Sequence, residues 1–274
     1  MASRINTILI IGATTGIGEG LARRFHALGK KVIITGRRQD RLDALAAELK
    51  GVETRQFDIG DIAALPGHVS AILKDYPKLD TVYVNAGIQQ CYNIFDNSSI
   101  TNEKVAAEVA INLTAPNLLA NLFAPHLLNL AKSGTKTTIF ITTSSLAYIP
   151  FSFYPTYCAT KAGLQAFCKI FRQQLAFAGE GAQNMNVVEI VPPYVDTGLD
   201  AAHRDYTIAA QGGKDKAFPP TPLKEFLDAV FAGIEDVGPD GSIKKEIAVG
   251  FGELGVGTWR GAFEKVYESI GMTI

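Results

Sequence analysis

Ile5-Asn6-Thr7-Ile8-Leu9-Ile10-Ile11-Gly12-Ala13-Thr14-Thr15-Gly16-Ile17-Gly18 is the stretch whose reading decides the fold. Ile5 to Ile11 is almost wholly apolar and rich in β-branched residues, the pattern of a strand buried on both faces. Ile17, Leu21, Phe25 and Leu28 then recur at helical spacing until Gly29 ends the run. A glycine-rich turn between a strand and a helix is the context in which such a motif binds phosphate. Gly12 permits the tight turn, Gly16 lets backbone approach a pyrophosphate, and Gly18 lets the helix pack close to the strand. The helix N-terminus adds free N–H groups and a positive dipole end. With Thr14, Thr15 and Ile17, these residues form the expected nucleotide-binding turn. The spacing is GxxxGxG, neither GxGxxG nor a phosphate loop ending in Gly-Lys-Ser/Thr. Taken alone, the stretch also reads as a glycine-rich turn without a ligand.

Outward from that turn, strand and helix patterns alternate. Further strands are expected at Val32 to Thr35, Val52 to Phe57, Leu79 to Val84, Thr137 to Ile141, Asn186 to Val191 and Glu246 to Val249. Helices are expected at 40–49, 62–73, 105–130, 156–177 and 223–234. Alternation of this kind implies right-handed βαβ units around a parallel sheet, an α/β doubly wound, Rossmann-like fold of about seven strands. The 274 residues show no internal repeat or linker and are expected to form a single domain. Gly198 to Pro222 is the long irregular segment, expected to be a lid over the substrate.

Composition removes several alternatives. The net charge is −1 and 47% of residues are hydrophobic, so neither a nucleic-acid surface nor a disordered chain is implied. Three cysteines without a CxxC suggest neither a disulfide framework nor a zinc site, and four scattered histidines suggest no metal. Reduced thiols fit the cytoplasm. No signal peptide is evident, and the apolar stretch from Leu118 to Ala131 is too short and too polar to span a bilayer.

Further motifs sit where strands end. Gly36-Arg37-Arg38 follows the second strand, beside the adenosine ribose of a bound dinucleotide. Asp58-Ile59 ends the third strand, where a carboxylate can accept from an adenine amino group; a turn or helix-capping role is the alternative. Asn85-Ala86-Gly87 ends the fourth, where small residues let a ring lie on the backbone. Thr142-Thr143-Ser144-Ser145 ends the fifth and offers hydroxyls at the reacting end of a cofactor. Tyr157-Cys158-Ala159-Thr160-Lys161 puts a phenol and an ammonium on one helix face. Only this one of the nine tyrosines has a lysine four residues on. A nearby ammonium stabilises phenolate and would lower the phenol pKa from its ordinary value of about 10.

Together these residues resemble the short-chain dehydrogenase/reductase family, in its compact single-domain branch. The resemblance runs from about Ile5 to Glu246. It rests on Gly12-x-x-x-Gly16-x-Gly18, Asn85-Ala86-Gly87, Asn112, Ser144 and Tyr157-x-x-x-Lys161 in family order. It implies Tyr157 as general acid/base and Lys161 as the residue that lowers its pKa and binds the nicotinamide ribose. It implies Ser144, with Ser145 as the alternative, to orient the substrate oxygen, and Asn112 to hold a water in a proton relay. Pro192, Val195 and Thr197 would flank the nicotinamide, although Pro193 stands where the family usually has glycine. An acidic residue at the end of the second strand, the usual mark of NAD, is absent. Arg37, with Arg38 beside it, is placed to bind a 2′-phosphate, so NADP(H) is expected over NAD(H).

The resulting expectation is hydride transfer between a nicotinamide and a carbonyl or secondary alcohol of a small apolar or aromatic molecule. Isomerase or dehydratase chemistry on the same scaffold, or a redox-silent cofactor-binding protein, are the alternatives. Tyr92, Phe95, Phe151, Phe153, Tyr154 and Tyr194 are candidates for the substrate cleft, with Tyr154 and Tyr194 the chosen contacts. No arginine or lysine is evident as a carboxylate or phosphate handle. Extra apolar residues on the long helices, among them Leu118, Leu122, Phe167, Ile170 and Phe171, predict a homodimer or homotetramer.

Overall fold

In the computed structural model, which describes residues 4–239, 241–272 and 274, seven parallel strands form one sheet in the order β3-β2-β1-β4-β5-β6-β7. The elements run β1 (Thr7–Ile11), α1 (Gly16–Ala27), β2 (Lys31–Gly36), α2 (Gln39–Glu48), β3 (Glu53–Gln56), α3 (Leu65–Asp75) and β4 (Thr81–Val84). They continue with α4 (Asn102–Val109), α5 (Ala115–Lys132), β5 (Thr137–Thr142), α6 (Pro155–Ala176), β6 (Met185–Val191), α7 (Arg204–Ala210), α8 (Leu223–Glu235), β7 (Glu246–Ala248) and α9 (Phe251–Ser269).

Alternate residues of the central strands feed two cores, because successive side chains leave opposite faces of a sheet. Ile8 and Ile10 join Leu21, Phe25, Leu42 and Phe226 on the face covered by α1, α2 and α8. Leu9 and Ile11 join Val69, Leu119, Phe123 and Leu164 under α3, α5 and α6. The chain moves outward from β1 in one direction through β2 and β3, then crosses to β4 and moves the other way. That reversal opens a crevice beyond the carboxyl ends of β1 and β4, the place where doubly wound sheets bind ligands.

Three expectations change. The helix expected over 105–130 begins earlier, at Asn102, where the Thr101 side chain accepts from the Lys104 N–H. It is interrupted by a wide π-type turn at Ala110–Thr114, centred on Asn112. The 198–222 segment is not wholly irregular. It contains α7, and it returns to the body where Val195 pairs with Thr221. The last long helix, α9, was not anticipated, because its small residues Gly252, Gly255 and Gly257 weaken the helical signal. Tertiary contact supplies what propensity lacks: a Cβ on Gly255 would lie 2.7 Å from Tyr148.

Candidate active site

A cleft of about 1370 Å³ runs across the carboxyl ends of the strands. One end is built on the glycine turn. Gly12 has φ +85°, and a Cβ there would lie 2.6 Å from Ala86; a Cβ on Gly18 would come within 2.0 Å of the Gly12 carbonyl. These contacts are the physical reason for glycine at both places. Asn85 ties the turn to the neighbouring strands. Its Nδ2–H donates to the Gly12 carbonyl at 3.0 Å, and the Thr142 hydroxyl donates to its Oδ1 at 3.2 Å. The N-cap residue of α1, Thr15, makes no side-chain capping bond. The first N–H groups of the helix are left for an anion at the cleft wall.

At the next strand ends, Arg38 reaches back over the turn and donates to the Thr14 and Thr15 hydroxyls at 3.0 and 3.2 Å. Arg37 lies 3.7 Å from Asp58; the arginine is largely exposed and the carboxylate half-buried. Asp58 also accepts from the Gly60 N–H at 2.8 Å, so it serves the turn and the cleft together. A Cβ at Gly36 would meet the Thr14 methyl at 2.4 Å, which disfavours a carboxylate at that strand end. Arg41 lines the same corner. It sits three residues after Arg38, so both fall on one side of α2, a spacing visible in the sequence.

The other end of the cleft holds Ser144, Tyr157 and Lys161. Lys161 is buried on α6, with its Nζ donating to the Thr142 carbonyl at 2.9 Å and lying 5.6 Å from the Tyr157 ring centre. Burial lowers its pKa to about 8. Burial likewise raises the Tyr157 phenol above its ordinary value, and a hydrogen bond from Ser144 only partly offsets this. The expected downward pull of Lys161 on Tyr157 is therefore not the dominant effect in the unliganded chain, where desolvation of the phenolate outweighs it. Ser144 Oγ accepts from the Leu146 N–H at 3.1 Å, which leaves its hydroxyl hydrogen for another acceptor. Ser145 instead donates its backbone N–H to the Pro192 carbonyl at 2.8 Å.

Asn112 lies behind the wall rather than in the cleft. Its amide closes on Ile88 from both sides: Oδ1 accepts the Ile88 N–H at 2.9 Å, and Nδ2–H donates to the Ile88 carbonyl at 2.7 Å. An atom at the Cβ position of Gly87 would sit 3.2 Å from Asn112 Oδ1 and 3.6 Å from Lys161 Nζ, so the three groups meet at the Asn85-Ala86-Gly87 turn. Gly18 is also behind the wall. The remaining candidates, Thr14, Thr15, Gly16, Ile17, Arg37, Arg38, Asp58, Ile59, Ala86, Gly87, Tyr154, Pro192, Tyr194, Val195 and Thr197, line the cleft together with Pro193.

The aromatic candidates divide. Phe151, Phe153, Tyr154 and Tyr194 line the cleft, joined by Phe218 and Phe251, whose rings lie 5.8 and 6.1 Å from that of Phe151. Phe95 is 96% exposed and Tyr92 turns to the Thr156 hydroxyl at 2.6 Å, so neither lines the cleft. The polar lining also differs from expectation. His203 Nε2–H donates to Gln89 Oε1 at 3.1 Å, with its ring 5.5 Å from that of Tyr154. Arg204 and Lys214 line the cleft, although sequence spacing places no cation there. Arg204 is held by Asp200 at 2.6 Å, and Asp200 also accepts from the Tyr194 hydroxyl at 2.7 Å. Burial would raise the Asp200 carboxyl, but Arg204 and Tyr194 hold it below the usual range. The His203–Gln89 contact joins residues 114 apart in sequence, whereas Asp200 meets Arg204 and Tyr194 within six residues, an i,i+4 acid–base spacing that the sequence carries.

A long groove with a glycine turn and free helix N–H groups at one end, and a hydroxyl, a phenol and an ammonium at the other, fits a dinucleotide. The family model for short chain dehydrogenases matches residues 6–207. The chain belongs to that family. It is accordingly an oxidoreductase of the NAD(P)-dependent dehydrogenase/reductase kind. It is 39% identical over 235 residues to the uncharacterized oxidoreductase DltE of Bacillus subtilis (strain 168), covering 85% of this chain and 87% of that one. It is 32% identical over 212 residues to serine 3-dehydrogenase of Agrobacterium fabrum, covering 77% and 78%. The bovine dehydrogenase/reductase SDR family member 7B is 30% identical over 202 residues, and there the match spans 70% of this chain but only 58% of the relative. Among solved structures, a short-chain dehydrogenase from Sphingobium yanoikuyae in complex with NADPH superposes with a TM-score of 0.74 at 24% identity, covering 97% and 95%. A 3-ketoacyl-(acyl-carrier-protein) reductase from Brucella melitensis complexed with NADH gives 0.71 at 25%, covering 89% and 95%. The sheet and its flanking helices are thus those of the family. The neighbours include both coenzyme types.

Proposed function

We propose that this protein is an NADP(H)-dependent reductase or dehydrogenase acting on a carbonyl or secondary alcohol of a small apolar or aromatic molecule. The observation that carries the reading is the convergence of Ser144, Tyr157 and Lys161 at one end of a cleft whose other end is the glycine turn. A bound nicotinamide would supply or accept the hydride. The chain does the rest. The Tyr157 hydroxyl gives its proton to the substrate oxygen in reduction and takes it back in oxidation. Ser144, one of whose two lone pairs takes the Leu146 N–H, donates its hydroxyl hydrogen to that same oxygen. Lys161 spends one N–H on the Thr142 carbonyl and has two left for ribose hydroxyls. Ser144 is preferred over Ser145 because it is the hydroxyl that acts on Tyr157.

Arg37 and Arg38 support the phosphate-bearing coenzyme, with Arg41 beside them, because a guanidinium pairs with phosphate oxygens through charge-assisted hydrogen bonds. The crowded Gly36 supports it from the other side, by excluding the carboxylate that an NAD site would use. Phe151, Phe153, Tyr154, Phe218 and Phe251 support an apolar substrate, and residues 198–222 act as its lid. The working form is a homodimer or homotetramer. The deciding experiment is a screen of NADPH and NADH consumption over ketones, quinones and aldehydes. NADPH consumption with apolar carbonyls, lost in Tyr157→Phe, is the expected result.

A further inference from the structure

The two walls beside the reacting end of the cleft differ. Ser144 follows β5, Gln89 follows β4, and Phe251 opens α9 shortly after β7. Because β5 lies between β4 and β7 in the sheet, Gln89 and Phe251 reach the cleft from opposite sides of Ser144. On the β4 side the wall is continuous. The Tyr154 ring lies 6.5 Å from that of Tyr157 and 5.5 Å from that of His203, and His203 Nε2–H donates to Gln89 Oε1 at 3.1 Å. Rings at these separations are in contact, so a large group cannot pass between the members of this wall. On the β7 side, rings from three separate segments meet. Phe218 and Phe251 lie 5.8 and 6.1 Å from Phe151, tilted by 34° and 53°. All three line the cleft, yet Phe218 remains 62% and Phe251 37% exposed. Rings left partly bare inside a cleft offer faces that a flat apolar ligand can cover. Phe218 and Phe251 also lie outside residues 6–207, so this wall is built largely from beyond the region that the family model matches.

We infer that the substrate is an unsymmetrical ketone, or the matching secondary alcohol, with one flat aromatic group held by Phe151, Phe218 and Phe251 and one small group on the Tyr154–His203–Gln89 side. The inference rests on the reading above, in which Ser144 and Tyr157 hold the carbonyl oxygen, and deepens it by fixing which side takes which group. With the oxygen held at one point and the two groups on unlike walls, the carbonyl presents a single face to the coenzyme. Reduction then gives one enantiomer of the alcohol. The carbonyl carbon gains a hydride from the reduced nicotinamide, whose oxidation balances the reduction, and the oxygen gains the Tyr157 proton.

The test uses the full chain with NADPH and three ketones: methyl naphthyl, propyl naphthyl and methyl ethyl. The wild type should prefer methyl naphthyl ketone and give its alcohol in an enantiomer ratio of at least about 20 to 1. Phe251→Ala should lower the kcat/KM ratio of methyl naphthyl to methyl ethyl ketone by about tenfold and erode the enantiomer ratio. His203→Ala opens the other wall and should raise propyl naphthyl relative to methyl naphthyl ketone by about tenfold. Equal losses on all three ketones in Phe251→Ala overturn the inference, because the rings then only pack against one another. Should that variant fail to fold, Phe218→Ala carries the same comparison. Saturation-transfer NMR on the unliganded chain gives a readout apart from turnover. The naphthyl protons of the methyl ketone should be saturated more strongly than its methyl protons, and Phe251→Ala should weaken that difference. If the wild type binds the ketone in this way but consumes neither NADPH nor NADH with any carbonyl compound, the functional reading fails and the aromatic site stands. If it reduces the ketones with no preference among them, the functional reading stands and the inference fails.

Discussion

At the scale of single residues, the chemistry depends on how burial competes with charge. Tyr157 is 6% exposed and Lys161 3%, so each is pushed toward its neutral form. Tyr157→Phe deletes only the hydroxyl and leaves the ring that packs beside Tyr154 at 6.5 Å. Turnover should fall by about 10²–10⁴-fold, while the NADPH dissociation constant stays within about threefold, measured by stopped-flow and fluorescence titration. Lys161→Ala should weaken both. Arg37→Asp tests the coenzyme reading. It puts a carboxylate next to Asp58 and should reduce the NADPH-over-NADH preference in kcat/KM by at least about tenfold, one charge-assisted contact's worth. An unchanged ratio would show that Arg37 does not read the phosphate and would direct attention to Arg38 and Arg41.

At the scale of elements, the cleft is bordered by a segment with its own anchor. Asp200 is 4% exposed and satisfied by Arg204 and Tyr194, while Val195 and Thr221 pair where the segment leaves and rejoins the body. Arg204→Ala leaves Asp200 with Tyr194 as its remaining side-chain partner, at a cost of about 1–3 kcal/mol concentrated in α7. The expected outcome is faster tryptic cleavage at Lys214 and Lys216 and a KM raised several-fold, with the global melting temperature nearly unchanged. Loss of cooperative folding instead would show that the segment belongs to the core and not to a lid.

At the scale of the whole molecule, the edge of the sheet is held by buried charge. Glu246 on β7 receives Arg172 from α6 at 2.5 Å and Arg260 from α9 at 2.6 Å. Burial would raise its carboxyl, but the two arginines hold it below the ordinary 4.5. A carboxyl lowered by folding contributes stability that is complete above its unfolded value and is lost as pH falls below about 4.5 through the folded value. Glu246→Ala leaves the buried Arg172 guanidinium without its carboxylate and the half-buried Arg260 with Glu264 alone. It should cost about 3–5 kcal/mol, lower the melting temperature by about 10 °C, and remove part of the acid sensitivity, all readable by calorimetry between pH 3.5 and 7. The second expectation at this scale is assembly. Leu118, Leu122, Phe167 and Phe171 are only partly buried against the core, and Ile170 is 50% exposed. Light scattering at micromolar concentration should give a dimer or tetramer, and Ile170→Glu should shift it toward monomer. A wild-type monomer would remove the oligomer from the functional reading.

The sequence by itself determined the sheet and the glycine turn. A strand buried on both faces must be continuously apolar, and a turn that brings Gly12 within van der Waals contact of Ala86 admits no side chain. Both requirements are local and leave a visible pattern. Tyr157 and Lys161 were legible for the same reason, since four residues on a helix bring two side chains to one face. Tertiary structure alone decided which strand ends share a wall. It set Asn112 on Ile88 behind the cleft wall, turned Tyr92 and Phe95 away, and brought Arg204, His203 and Gln89 in. It also buried a carboxyl, Glu108, on the helix face of Asn112, with its Oε1 accepting the Gln90 N–H at 2.8 Å. Helical periodicity can show that Glu108 and Asn112 share a face. Only the packing of that face against the segment after β4 sets Asn112 on Ile88 and Glu108 on Gln90, because periodicity fixes which side chains share a helix face but not what covers it.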